Sequence, residues 1–300
     1  MKKLLKWIGI ILAILAGLLA ILIASVYLLT NSRLNKPYPI QVESVEVPAD
    51  AASIEYGKHV ATIRACIDCH DPDLGGKLLI GDPMVGAIYT SNLTGGEGGI
   101  GGVYTTEDFV RALRHGVGTD GKGLIIMPAN EFYYLSDKDL GAVIAYVKSV
   151  PPVNRAKPEP KLALPIRAMV MAGQVQALPV EMIDHSAPRP ASPEPGVTVE
   201  YGKYLAVTCT GCHGERFSGG PIPGTPPDWP PPLNITPGGE LIGWSEADFI
   251  QSMRTGMTPG GRQLRNQYMP WEIFGQMTDD ELKALWLYLQ GVPALGYGNR

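Results

Sequence analysis

Two short stretches of this chain have the residue types and spacing of a covalent cofactor anchor. Cys66 and Cys69 stand in Cys-Ile-Asp-Cys-His, which ends at His70, and Cys209 and Cys212 stand in Cys-Thr-Gly-Cys-His, which ends at His213. The pattern Cys-x-x-Cys-His is the attachment site of c-type haem. Two cysteines three apart lie on nearly one face of a helical turn, so both can form thioethers with the vinyl groups of one porphyrin. The next residue then offers its imidazole to the iron as the proximal ligand. A Cys-x-x-Cys pair alone also serves in thioredoxin-like redox sites and as half of a zinc site. A redox pair needs no histidine directly after it, and a four-cysteine zinc site would have to bring together pairs 143 residues apart. The chain has four cysteines and both pairs are followed by histidine. The expectation is two covalently attached haem c groups, held by Cys66, Cys69, Cys209 and Cys212, with His70 and His213 on the irons.

A histidine-ligated haem is completed by a sixth ligand or left open. A filled shell changes little between ferric and ferrous states and keeps oxygen and peroxide from the iron, and a methionine thioether raises the potential. Most of the ten methionines must be packing residues. Met127 and Met269 stand out because each precedes a proline and they follow His70 and His213 by 57 and 56 residues. They are the expected axial ligands. Met84 is the rival in the first half, but its counterpart region near Pro223 to Pro227 has no methionine. Met253 and Met257 suit core or surface roles. His59, His115 and His185 have no histidine at matching positions in the other half, which disfavours ligation by two histidines.

The motifs sit in a longer repeat. Glu55-Tyr56-Gly57-Lys58 recurs as Glu200-Tyr201-Gly202-Lys203, Asn92-Leu93-Thr94 as Asn234-Ile235-Thr236, Asp108-Phe109 as Asp248-Phe249, and Arg114-x-Gly116 as Arg254-x-Gly256. The nearly constant offset predicts two homologous domains in tandem. In each, a helix starting near Ser53 or Val199 delivers the Cys-x-x-Cys-His at its end. A second helix is signalled by Thr105-x-x-Asp108 or Ser245-x-x-Asp248, and a third by Ser136-x-x-Asp139 or Thr278-x-x-Glu281, all capping-box patterns. Leu140, Val143, Ile144 and Val147, like Leu282, Leu285, Trp286 and Leu289, follow helical spacing. No hairpin alternation is evident, so the fold class expected is all-α. Asn92 and Asn234 each begin Asn-x-Thr. That triplet is a glycosylation signal in general, but its repetition favours holding a loop or bonding near a haem propionate. Arg114 and Arg254 suit either propionates or an exposed helix face.

Residues 1–30 stand apart. From Trp7 to Thr30 runs an uncharged apolar stretch preceded by Lys2, Lys3 and Lys6. At about 1.5 Å per residue it reaches roughly 36 Å, enough for a bilayer core. It is longer than the apolar region of most signal peptides and lacks an obvious small-residue cleavage site. The expectation is an uncleaved single-pass anchor through residues 7–30 of the cytoplasmic membrane, with the basic end inside. The haem domains would then lie on the periplasmic or extracellular side. Residues 31–52 read as a juxtamembrane linker, 53–152 as the first domain, 153–198 as a proline-rich linker and 199–300 as the second domain. Within that linker, the apolar stretch from Ile166 to Val180 reads either as a short helix packed across the domain interface or as a loose strap. A formal charge of −4 gives no support to a nucleic-acid partner.

Taken together, Tyr-Gly-Lys, Cys-x-x-Cys-His, Asn-x-Thr, Asp-Phe, Arg-x-Gly and Met-Pro before a final helix resemble the class I cytochrome c domain. The chain most resembles the multi-haem cytochrome c subunits of membrane-bound alcohol and gluconate dehydrogenases, over about residues 53–152 and 199–294. Those subunits commonly carry three haem domains, and here there are two. The resemblance implies an electron relay with no catalytic residues of its own, passing electrons between a donor and an acceptor such as a membrane dehydrogenase, an oxidase or a photosynthetic complex. The alternative is a dihaem peroxidase-type enzyme in which one haem loses its sixth ligand. Two matching Met-Pro loops argue against it.

Overall fold

The computed structural model describes residues 1–187, 192–225 and 228–300. Pro188 and Pro190 of the expected linker, and Pro227, lie outside them. The chain is mostly helical. Helix α1 (Lys2–Leu34) is long and apolar enough to cross a membrane by length and composition.

The first half contains α2 (Ala51–Ile63), α3 (Cys66–His70), α4 (Thr106–His115), α5 (Ala129–Phe132) and α6 (Asp137–Ser149). After β3 (Lys161–Leu162) and α7 (Leu164–Met171), the second half contains α8 (Val199–His213), α9 (Glu246–Thr255), α10 (Trp271–Phe274) and α11 (Asp279–Gly291). One difference from the all-α expectation is a small antiparallel sheet. Strands β1 (Leu78–Asp82) and β2 (Gly86–Tyr89) pair as a hairpin, and β2 also pairs with β3. The hairpin is not legible because Leu78-Leu-Ile-Gly-Asp does not alternate, and its partner is four residues long.

Caps fix where the helices start. Thr105 and Asp108, Ser245 and Asp248, and Thr278 and Glu281 each form a reciprocal capping box. Ser136 caps α6 by accepting from the Asp139 amide, but no box closes there. The Asp139 carboxylate accepts instead from the Tyr56 hydroxyl at 2.7 Å and from the Tyr204 hydroxyl of the other half.

Each half is built on one close helix crossing, α2 on α6 and α8 on α11. Gly57 and Gly202 sit at the two crossings. A Cβ on either would overlap the carbonyl oxygen of Ala142 or of Ala284. The side chains that fill around these contacts form two cores. Val60, Phe109, Leu140 and Ile144 belong to the first, and Leu205, Phe249, Leu282 and Leu285 to the second. Gly202→Ala should therefore push α8 off α11. Overpacking of this kind costs about 1–3 kcal/mol, which chemical denaturation would read as a lower midpoint.

The halves meet reciprocally. Tyr204 of α8 donates to Asp139 at the start of α6, and His59 of α2 lies 2.9 Å from Glu281 at the start of α11. Both acids also accept from their own half, from Tyr56 and Tyr201 respectively. Arg64 adds a clamp that has no mirror image. Its guanidinium donates to the Tyr204 and Leu205 carbonyls and to the Thr208 hydroxyl. Arg64 and Ala65 are the excess of the first repeat, where the offset drops from 145 to 143. There Ala65 turns left-handed (φ 58°) and separates α2 from α3, whereas α8 runs unbroken into its motif.

Most of the apolar stretch from Ile166 to Val180 packs on α1 and the first half, with Val175 reaching Gly224 of the second half. Helix α7 lies against the C-terminal end of α1. Arg167 stacks on the Tyr27 ring at 4.7 Å and donates to Asn31, and Arg33 reaches back to the Val170 carbonyl and to Glu181. Ile166 and Val170 also pack on Ile88 of the sheet, and Leu178 and Val180 on Val117. The reason is local: this stretch follows β3, whose pairing with β2 ties it to the first half.

Candidate functional site

The peptide around each Cys-x-x-Cys-His is folded the same way. His70 Nδ1 lies 2.8 Å from the Ser91 carbonyl oxygen, and His213 Nδ1 lies 2.7 Å from the Leu233 carbonyl oxygen. An Nδ1–H donated to a backbone carbonyl fixes the ring and leaves Nε2 as the ligating nitrogen. Ser91 and Leu233 directly precede Asn92 and Asn234, and those asparagines explain why the carbonyls are in place. The Asn92 side-chain oxygen accepts from the Thr94 amide and hydroxyl, and its Nδ2 donates to the Val153 carbonyl. Asn234 does the same with Thr236 and Leu295. Both asparagines are buried, at 1% and 5% exposure. This is the loop-holding role, and burial removes them as glycan acceptors in the folded chain.

The turn after each motif also repeats. Asp71 and Gly214 are left-handed, as are Leu74 and Phe217. The amides of Gly76 and Gly219 donate to the carbonyls of His70 and His213 at 2.8 and 2.9 Å. A Cβ on Gly76 would lie 2.6 Å from the Thr90 carbonyl oxygen, so the strand returning toward the histidine can approach only a glycine.

Electrostatics at the motifs do not favour thiol redox chemistry. Burial pushes the Cys66 and Cys209 thiols up to about 12, and it raises Cys69 and Cys212 as well. Redox-active pairs need the opposite shift. Burial also lowers the pKa of both motif histidines, which keeps the imidazoles neutral, the form that binds a metal.

In the second half, Cys209, His213 and Met269 line one cleft together with Leu233, Trp244 and Phe249. Its lining surface is almost wholly apolar. The Cys209 thiol, the His213 imidazole and the Met269 thioether around an apolar cleft, with Cys212 three residues on, are the donor set haem c requires, so the residues fit the group. Met253 lines the same cleft from α9; its position in the first half is held by Leu113, so the repeat does not single it out. In the first half, Cys66 and Met127 pack on one buried cluster and His70 is 8% exposed. Met84 is exposed in the β1–β2 turn. His59 is engaged with Glu281, and His115 pairs with His185 at 2.9 Å between their Nδ1 atoms.

Neither arginine of the repeat lies on an exposed face with its guanidinium free. Arg114 is fully buried and bonds Glu43, the Leu135 carbonyl and Asp137, while Arg254 bonds the Gly275 and Met277 carbonyls and Asp279. Both pin the loop that leads into the last helix of their half. Two residues of the site region, Arg64 and Glu131, belong to no motif in the sequence; Arg64 is marked there only by the drop in repeat offset.

The cleft of the second half gathers a carbonyl-held histidine, the first cysteine of its motif and a methionine. A cytochrome c family model matches residues 199–293. The second half is thus a cytochrome c domain, which implies covalently bound haem c and iron-based electron transport. The chain is 32% identical, over 84% of its length, to the cytochrome c subunit of an alcohol dehydrogenase (quinone) from Gluconobacter oxydans (strain 621H), and covers 57% of that protein. It is 29% identical to the fructose dehydrogenase cytochrome subunit of Gluconobacter japonicus, over 84% of this chain and 55% of the relative. A diheme cytochrome c-type protein of Cereibacter sphaeroides is 26% identical over 80% of this chain and 86% of its own length. The chain thus spans a little over half the length of the alcohol and fructose dehydrogenase subunits it matches.

Proposed function

We propose that the chain is a membrane-anchored dihaem cytochrome that relays electrons out of a membrane dehydrogenase. In this reading residues 53–152 and 199–300 are tandem cytochrome c domains, joined by residues 153–198. Cys66 and Cys69 hold one haem and Cys209 and Cys212 the other, with His70 and Met127, and His213 and Met269, as axial ligands. Helix α1 anchors the chain through residues 7–30, and the haem domains lie on the outer side. The observation that carries the reading is the matched setting of His70 and His213, each against the carbonyl that precedes an Asn-x-Thr turn.

Bound haem supplies one-electron exchange between ferric and ferrous iron. The protein's own residues do the rest. Each buried asparagine holds the carbonyl that aims an imidazole. Pro128 and Pro270 stiffen the loops that carry the two methionines. Arg64, Tyr204 and His59 keep the two motifs at a fixed separation. The equal setting of the two histidines disfavours a peroxidase, which needs one haem set apart. The dehydrogenase partnership is supported by the names of the relatives.

The test is purification from native membranes in mild detergent, identifying every chain that travels with this one. A flavin- or quinone-dependent dehydrogenase in stoichiometric amount is the expected companion. Recovery with oxidase or photosynthetic subunits instead would overturn the partner assignment.

A further inference from the structure

Besides the Arg64 clamp, the reciprocity between the halves fails where α5 and α10 cross to the opposite half. Helix α5 rests on α8, and α10 rests on α2. At the second contact Ile273 of α10 joins an apolar cluster with Ile63, against which Ala65 and Ile67 pack. The matching position in α5, 142 residues earlier, is Glu131. Its carboxylate presses on the second motif so closely that a Cβ on Gly211 would lie 2.5 Å from Oε1. Gly211 is the residue before Cys212, and Asp68 fills that place in the first motif. Among the described residues nothing donates a side-chain hydrogen bond to the Glu131 carboxylate. Arg64, the cation nearest in effect, has its guanidinium turned to the carbonyls of α8.

The contact at Gly211, two residues before His213, puts this charge against the second site. Burial pushes the Glu131 carboxyl up to about 7, with Arg64 opposing.

We propose that Glu131 lowers the potential of the second haem and couples that haem's reduction to uptake of a proton. This rests on the two-haem reading above. An ionised carboxylate favours the more positive ferric state. As the iron gains an electron from the donor, one positive charge is cancelled, and the carboxylate takes a proton from water to form a neutral carboxyl. The charged groups around it are Arg64 from the α2–α3 junction, Asp68 and Lys77 beside Cys69 of the first motif, and Arg300 beside Cys212 of the second; the four cysteines, bonded to haem as thioethers, do not titrate.

The test is a spectroelectrochemical titration of the full-length, haem-loaded protein across neutral pH, with dithionite and mediators. Met269→His marks the second haem, so that its potential can be assigned. In the wild type the second potential should fall as pH rises through neutrality, by at most about 59 mV per tenfold change in proton activity at n = 1. The first should stay flat. Glu131→Gln should flatten the second potential and raise it on the alkaline side. A flat second potential in the wild type needs no variant to overturn the proposal, and a slope that survives in Glu131→Gln would also overturn it. A protein with one covalent haem would instead defeat the two-haem reading itself.

Discussion

Replacing Cys209 and Cys212 together with alanine is expected to leave a protein with one covalent haem per chain. Both cysteines lie in the last turns of α8, and Cys209 lines the apolar cleft with His213 and Met269. Without them no thioether forms there, and imidazole and thioether ligation alone does not survive denaturation. The first site is not touched by the change. Its cysteines lie on α3 and its core is a separate cluster around Val60, Phe109 and Ile144. Haem staining after denaturing electrophoresis should persist, while the haem-to-protein ratio from pyridine haemochrome spectra should halve. Two retained haems would sink the attachment argument. Replacing Cys66 and Cys69 should give the mirror result.

Met269→Ala is expected to open the iron of the second haem without releasing the haem. The methionine sits before Pro270, which starts α10, and its amide donates to the Arg265 carbonyl at 3.1 Å, so its backbone is already fixed. Loss of the thioether removes the ligand that favours ferrous iron. The potential of that haem should fall, and the reduced protein should bind one carbon monoxide per chain where the wild type binds none. Met253 lines the same cleft and provides the internal control. Met253→Leu should leave the ligand spectrum unchanged. If Met253→Leu opens the iron and Met269→Ala does not, the ligand is Met253. Met127→Ala should act likewise on the first haem, and its effect should add to that of Met269→Ala.

Much of this was legible in the sequence because the informative features are local and occur twice. The Cys-x-x-Cys-His motifs, the Thr105, Ser245 and Thr278 boxes and the Asn-x-Thr turns all involve residues within four positions of one another. Repetition then separated Met127 and Met269 from the other eight methionines. The features that escaped are tertiary. Asp139 looks like a box partner of Ser136 until Tyr204, 65 residues away, is seen to claim its carboxylate. The stretch around α7 is apolar, but only the fold shows that it serves α1 and the sheet. Glu131 looks like an ordinary acid in a four-residue helix. Its surroundings come from α8, which no pattern near residue 131 can reveal.

The reciprocal contacts of His59 with Glu281 and Tyr204 with Asp139 are those of an isologous interface, the kind that closes a dimer about a two-fold axis. In a dimer of identical subunits every substitution appears on both sides of the axis. A carboxylate facing one motif would then face the other as well. Joining the two units in one chain removes that constraint. The Arg64-Ala65 insertion and the exchange of isoleucine for Glu131 are each present on one side only. Covalent fusion thus lets a symmetric pair of sites become an ordered pair, with a direction written into which half carries the charge.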